Sequence, residues 1–145
     1  VKPYPHRYEV SAVMQGTEPI QLASPGLPGL ESAPPAEFDG PGDRWSPETL
    51  LVGAVVDCFA LTFRAVARAS RYEWTRLACR AEGVLDRAEG TTRFTEIHLH
   101  ATLDVPAGSD GAQGERLLAK AEKGCLVSNS LRSAVHLQAE VRPRG

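Results

Sequence analysis

Three cysteines, Cys58, Cys79 and Cys125, are the side chains of this 145-residue chain best suited to covalent chemistry. A thiolate is a strong nucleophile, and its sulfur can cycle through sulfenic acid and disulfide. Cys58 stands between Asp57 and Phe59 in an apolar stretch, and Cys125 follows Gly124, 67 residues later. Nothing in that spacing resembles a zinc site. Taken singly, each thiol reads as a small buried hydrophobe rather than a reactive group, because free cysteine is among the most buried residue types. Cys79 falls on the apolar side of an alternating segment and is assigned to packing. His98-Leu99-His100 places two imidazoles on one strand face with no third ligand evident, which reads as a solvated sheet face. No metal and no bound cofactor are expected. Ser128-Asn129-Ser130 lacks a nucleophile elbow, which argues against a serine hydrolase.

The elements that must position these thiols are legible from periodicity. Ser46-Pro47-Glu48-Thr49 is a helix start: serine caps free amides, proline fits the first turn, and glutamate complements the dipole. A helix is predicted over about 47–70. Its first four turns are apolar almost all round (Leu50, Leu51, Val52, Val55, Phe59, Phe63), so it is expected to be buried within the structure. Alternation predicts a hairpin over about 75–105 turning at Arg87-Ala88-Glu89-Gly90. A second helix, about 114–123, breaks at Gly124 beside Cys125, and a short helical segment over 126–131 leads to a final strand over about 134–142. Upstream, Tyr8–Met14 and Ile20–Ala23 read as strands joined by the turn Gln15-Gly16-Thr17-Glu18. The proline- and glycine-rich stretch Ser24–Gly42 is mostly loop around at most one short strand. The order describes a single α+β domain over 1–145, with strands and loop in 1–45.

Composition bounds the function classes. With 42% hydrophobic and 23% charged residues the chain has the make-up of an ordinary folded domain. A formal charge of -2, with no basic stripe, argues against a nucleic-acid partner. The apolar run Leu50–Phe63 is interrupted by Asp57 and falls short of the roughly 18 to 20 residues of a membrane span, so no membrane partner is expected. Val1-Lys2-Pro3-Tyr4-Pro5 has no apolar core of a signal peptide. An odd number of dispersed cysteines makes no disulfide framework, and the expected location is cytoplasmic with the thiols reduced.

Two segments in combination carry a resemblance. Ser46-Pro47-Glu48-Thr49-Leu50-Leu51-Val52-Gly53-Ala54-Val55-Val56-Asp57-Cys58-Phe59 and Lys120-Ala121-Glu122-Lys123-Gly124-Cys125-Leu126-Val127-Ser128 resemble the OsmC/Ohr family of thiol-dependent peroxidases. The resemblance covers about Phe38–Val141. It implies an OsmC-like fold, with antiparallel sheets around a long buried central helix in an intertwined homodimer. It also implies that Cys58 attacks an organic hydroperoxide and becomes sulfenic acid. Cys125 then resolves it as a Cys58–Cys125 disulfide, and an external dithiol such as a lipoyl group reduces that bond. The competing expectations are a non-catalytic ligand-binding protein of this fold and a thiol redox sensor.

In the family a glutamate and an arginine hold the attacking sulfur. Glu48 falls on the glutamate position. The arginine does not fall into place: the comparable segment is Glu37-Phe38-Asp39-Gly40, and no arginine lies between Arg7 and Arg44. A cation is wanted on physical grounds. A thiol of pKa about 8.5 is only roughly 3% ionised at pH 7, and lowering its pKa to near 6 takes about 3.4 kcal/mol. One guanidinium about 4 Å away supplies on the order of 4 kcal/mol at an effective dielectric of about 20. Arg44 is the first candidate and Arg7 the second. Glu48 and Cys58, ten residues apart on one helix, are separated by about 15 Å along its axis. If Glu48 and Arg44 serve a Cys58, it is that of a second subunit. Leu50, Leu51, Val55, Phe59 and Phe63 are expected to offer apolar surface near the thiol to an alkyl or aryl peroxide.

Overall fold

The computed structural model describes residues 1–144. By internal contacts the chain divides into two compact units, one ending at Leu50 and one beginning at Leu51. The first unit holds a three-stranded antiparallel sheet of β1 (Ser11–Val13), β2 (Ile20–Ala23) and β3 (Leu30–Ser32), in that order. The turn at Gln15–Glu18 closes with the Glu18 amide donating to the Gln15 carbonyl at 3.1 Å. β1 is shorter than its alternation predicted. β3 is the one short strand in the proline-rich stretch, and it ends where Ser32 bridges Trp45.

Helix α1 (Pro47–Ala69) begins as its sequence predicted. The Thr49 amide donates to the Ser46 hydroxyl at 3.1 Å, and the Ser46 amide donates back to the Thr49 hydroxyl at 2.8 Å. Threonine thus fills the reciprocal position of a capping box. The expectation of a helix buried all round is corrected: only Val55, Phe59, Phe63 and Ala67 are buried, a stripe at fourfold spacing, while Ala54 and Leu61 are exposed. By length and composition α1 is also long enough to cross a membrane, which the shorter Leu50–Phe63 run was not; core helices pass the same test.

The second unit is built on β4 (Arg76–Ala88), β5 (Thr91–Pro106) and β6 (Ala134–Arg144), with β5 in the middle. β4 and β5 form the predicted hairpin. Its turn tightens to Glu89-Gly90, with φ of 54° and 78°, the left-handed pair that suits the twist of two-residue hairpins. β6 pairs with β5 in parallel, which corrects the expectation of antiparallel sheets throughout. The physical reason is the long connection through α2 (Gly111–Gly124), which carries the chain back to the starting end of β5. α2 starts three residues earlier than predicted because the Asp110 carboxylate accepts from the Gln113 amide at 3.1 Å.

Ile97, Leu99, Ala101, Leu103 and Val105 of β5 are all buried and pack with the α1 stripe and with Leu117, Leu118 and Ala121 of α2. Cys125 lies in this core. The close approach of α1 to the hairpin depends on Gly83, where a β-carbon would stand 2.7 Å from Val52 Cγ2 and 2.9 Å from the Phe94 ring. Gly83→Ala is therefore expected to destabilise the protein by about 1–3 kcal/mol. Urea unfolding checks it through a lowered midpoint at unchanged slope.

Candidate functional site

Cys58 and Cys125, far apart in sequence, come together in the second unit. Cys58 sits partly buried on α1, and Cys125 is fully buried at the residue that caps the C-terminus of α2. Both are free thiols, and each perturbs the ionisation of the other. The Gly124 break makes this meeting possible, since it ends α2 and turns the chain into a 3-10 turn at Ser128–Ser130. The Asn129 amide and the Ser128 hydroxyl both donate to the Cys125 carbonyl, at 3.0 and 3.1 Å, and fix that corner.

The two thiols are biased in opposite directions. Burial alone would push the Cys58 thiol up, but it is outweighed by the polar groups near it, the Val127 amide first, then the Cys125 thiol, Thr62 and the Leu126 amide. The net result holds Cys58 below the ordinary thiol range. Among the described residues neither the Leu126 nor the Val127 amide has a backbone acceptor, so both are available to a thiolate. Thr62 contributes less than its position indicates. Its hydroxyl gives its one proton to the Cys58 carbonyl at 2.7 Å and stands 3.9 Å from the sulfur. Cys125 goes the other way: burial pushes it up first, and the neighbouring Cys58 adds to the shift. Its sulfur lies 3.8 Å from the Val55 carbonyl, positioned to donate. Cys79, half-buried on β4, is pushed up by burial alone.

The amide pair was the part of the site that sequence reasoning missed. The signal was present, because a helix that stops at Gly124-Cys125 leaves unpaired amides in the turn after it. Sequence alone gave no means of aiming them at Cys58.

Glu48 and Arg44 belong to the first unit, where both line a cavity of about 760 Å³ with Ile20, Ala33, Pro35 and Phe38. Glu48 Oε2 is buried and has no hydrogen-bond partner. Arg44 is not free: its Nε lies 3.2 Å from Glu31 and its Nη1 3.0 Å from Asp43. The structure brings Cys58 beside Cys125 in the second unit, while in the first unit Arg44 and Glu48 line one cavity without pairing. α1 runs unbroken from Glu48 to Cys58 and keeps those two ten residues apart. Of the five apolar residues expected near the thiol, Val55, Phe59 and Phe63 are wholly buried in the core, which corrects that expectation. Leu50 and Leu51 remain partly exposed.

Comparison with known proteins places the chain in a family. Residues 40–140 match the family described as OsmC-like protein. The chain is 31% identical over 110 residues to the uncharacterized protein YmaD of Bacillus subtilis, covering 73% of each chain. It is 26% identical over 97 residues to the peroxiredoxin OsmC of Escherichia coli, covering 67% of each. Among solved structures, an OsmC-like protein of unknown function from Vibrio cholerae superposes with a TM-score of 0.86 at 17% identity, covering 93% of this chain and 99% of that one. That likeness is one of fold.

Proposed function

The chain belongs to the OsmC-like family, which includes proteins named as peroxiredoxins, and from that membership we propose that it reduces organic hydroperoxides through Cys58 and Cys125. The observation that carries this reading is the meeting of two free thiols biased in opposite directions, one lowered and one raised. A lowered thiol beside a raised one has its roles divided before any substrate arrives.

The chemistry is a two-electron transfer. The Cys58 thiolate attacks the distal oxygen of ROOH, the O–O bond breaks, and the alkoxide leaves and takes up a proton as ROH. Cys58 is then sulfenic acid. The Cys125 thiol loses its proton and attacks the Cys58 sulfur, hydroxide leaves as water, and a disulfide forms. An external dithiol, a lipoyl group among the fitting ones, reduces the disulfide and becomes a disulfide itself. Polar groups near the sulfur favour its charged form without requiring a nearby cation.

A second copy of the chain completes this reading. α1 leaves an apolar face uncovered, and Glu48 Oε2 is buried with no partner in a cavity that Arg44 also lines. We place Glu48 and Arg44 as residues that serve the Cys58 of the partner subunit in a homodimer.

The test is steady-state turnover with a dithiol, comparing cumene hydroperoxide with hydrogen peroxide. Each buried methylene favours the organic substrate by about 0.8 kcal/mol, so four are worth roughly a hundredfold. With only Leu50 and Leu51 of the expected apolar residues still partly exposed, a preference for the organic substrate below that size is expected, with Cys58 and Cys125 joined and Cys79 free in peptide maps of the oxidised protein. Equal efficiency on both peroxides would remove the apolar-substrate reading, and consumption of one equivalent without turnover would point instead to a redox sensor.

A further inference from the structure

The geometry points to a binding site for one divalent transition-metal ion, zinc foremost, formed by Glu96, His98 and His136 on the sheet face opposite the core. Sequence had paired His98 with His100, two residues away on the same strand. The parallel register of β5 and β6 instead sets His98 directly beside His136. Their imidazole rings stack, with centroids 5.0 Å apart and planes inclined by 20°. Glu96 lies two residues before His98 on the same face, and its carboxylate spans both rings. Its Oε1 stands 3.4 Å from His136 Nε2 and its Oε2 3.7 Å from His98 Nε2. His100 lies outside the group, opposite Gln138 on β6 and Arg80 on β4.

A metal ion would set its own spacing on this cluster. Zinc bonds of about 2.0–2.1 Å in tetrahedral geometry put neighbouring donors about 3.3–3.4 Å apart. The two carboxylate–imidazole contacts, 3.4 and 3.7 Å, are of that order but run to different oxygens of Glu96, so one oxygen must turn to serve both neighbours. As the side chains stand they form a cluster of close polar contacts, and among the described residues no group of three or more is already arranged to hold a metal ion. Closing them takes side-chain rotation on strands whose backbone is fixed by the ladder. The side chains are between about a third and half exposed, so an ion reaches them from solvent. Two imidazoles and one carboxylate suit zinc, nickel or copper far better than calcium or magnesium, which prefer all-oxygen shells. Three protein ligands also leave a position for water, so the site is open.

The site is separate from the thiols, and its test must separate them too, because thiolates also bind zinc. Zinc binding is measured by equilibrium dialysis on the wild type, on Cys58→Ser/Cys125→Ser, on His136→Ala and on Glu96→Gln. The expected result is one zinc per chain, retained in the double serine variant and weakened at least tenfold in each of the other two. Cobalt substituted for zinc in the wild type should show visible d–d bands without a thiolate charge-transfer band. Thermal melts of His136→Ala and Glu96→Gln confirm that the altered proteins remain folded. Zinc binding that disappears with the two serines, that persists unchanged in folded His136→Ala and Glu96→Gln, or that is weaker than about 100 μM in the wild type overturns the proposal.

Discussion

Cys58→Ser is expected to lower organic hydroperoxide consumption by a factor on the order of 10³ or more, to the level of the dithiol alone. Serine fits the space, but its hydroxyl is not ionised at neutral pH by amides that suffice for a thiol. Cys125→Ser should behave differently. The lowered thiol survives in that variant, so one equivalent of peroxide is consumed and Cys58 remains as sulfenic acid, open to trapping by a dione reagent. Stopped-flow consumption together with mass analysis of the trapped adduct reads both outcomes. If Cys125→Ser lost the first turnover and Cys58→Ser kept it, the assignment of attacking and resolving thiols would be reversed. That reversal would conflict with the opposite bias of the two groups, since the raised, fully buried Cys125 is the poorer thiolate.

What was legible in the sequence divides along physical lines. α1, the hairpin and β6 announce themselves by apolar period, by Ser46-Pro47 and by the turn within Arg87-Ala88-Glu89-Gly90, all of which act over a few residues. The pairing of Cys58 with Cys125 came from the resemblance of two segments to a family; spacing and residue type by themselves favoured packing for each thiol. The parallel pairing of β6 was invisible, because an alternating strand carries no mark of its direction relative to a neighbour distant in the chain. For the same reason His98 was matched with His100, its neighbour in sequence, although the register gives it His136. The α1 burial failed in an instructive way. An all-round apolar helix states that every face is to be covered, but does not state by which chain.

The demand for a cation at Cys58 was a sequence-level deduction, and the structure changes its weight. A free guanidinium about 4 Å from a thiolate offers on the order of 4 kcal/mol. Arg44 is held at 3.2 Å by Glu31 and at 3.0 Å by Asp43, so two carboxylates already draw on its field. The Leu126 and Val127 amides carry no competing anion. A hydrogen bond to a charged group is worth about 1.5–3 kcal/mol, or roughly one to two pKa units. Val127→Pro tests this with little change of backbone there, because Val127 has φ of -69°, the angle proline imposes, and its amide serves no backbone acceptor. Val127→Ala, which keeps the amide, controls for the side chain. The thiolate is the form that reacts, so loss of the donor moves the midpoint of Cys58 alkylation to higher pH. We expect Val127→Pro to raise that midpoint by one unit or more, Val127→Ala to leave it in place, and Arg44→Ala to raise it by less than Val127→Pro. Attack on peroxide should slow less than the thiolate fraction falls, since nucleophilicity rises with basicity at a Brønsted slope of about 0.4–0.5. Peptide-resolved alkylation rates across pH give all three midpoints. A larger shift in Arg44→Ala than in Val127→Pro would return the main role to the guanidinium and reduce the amide turn to a secondary support.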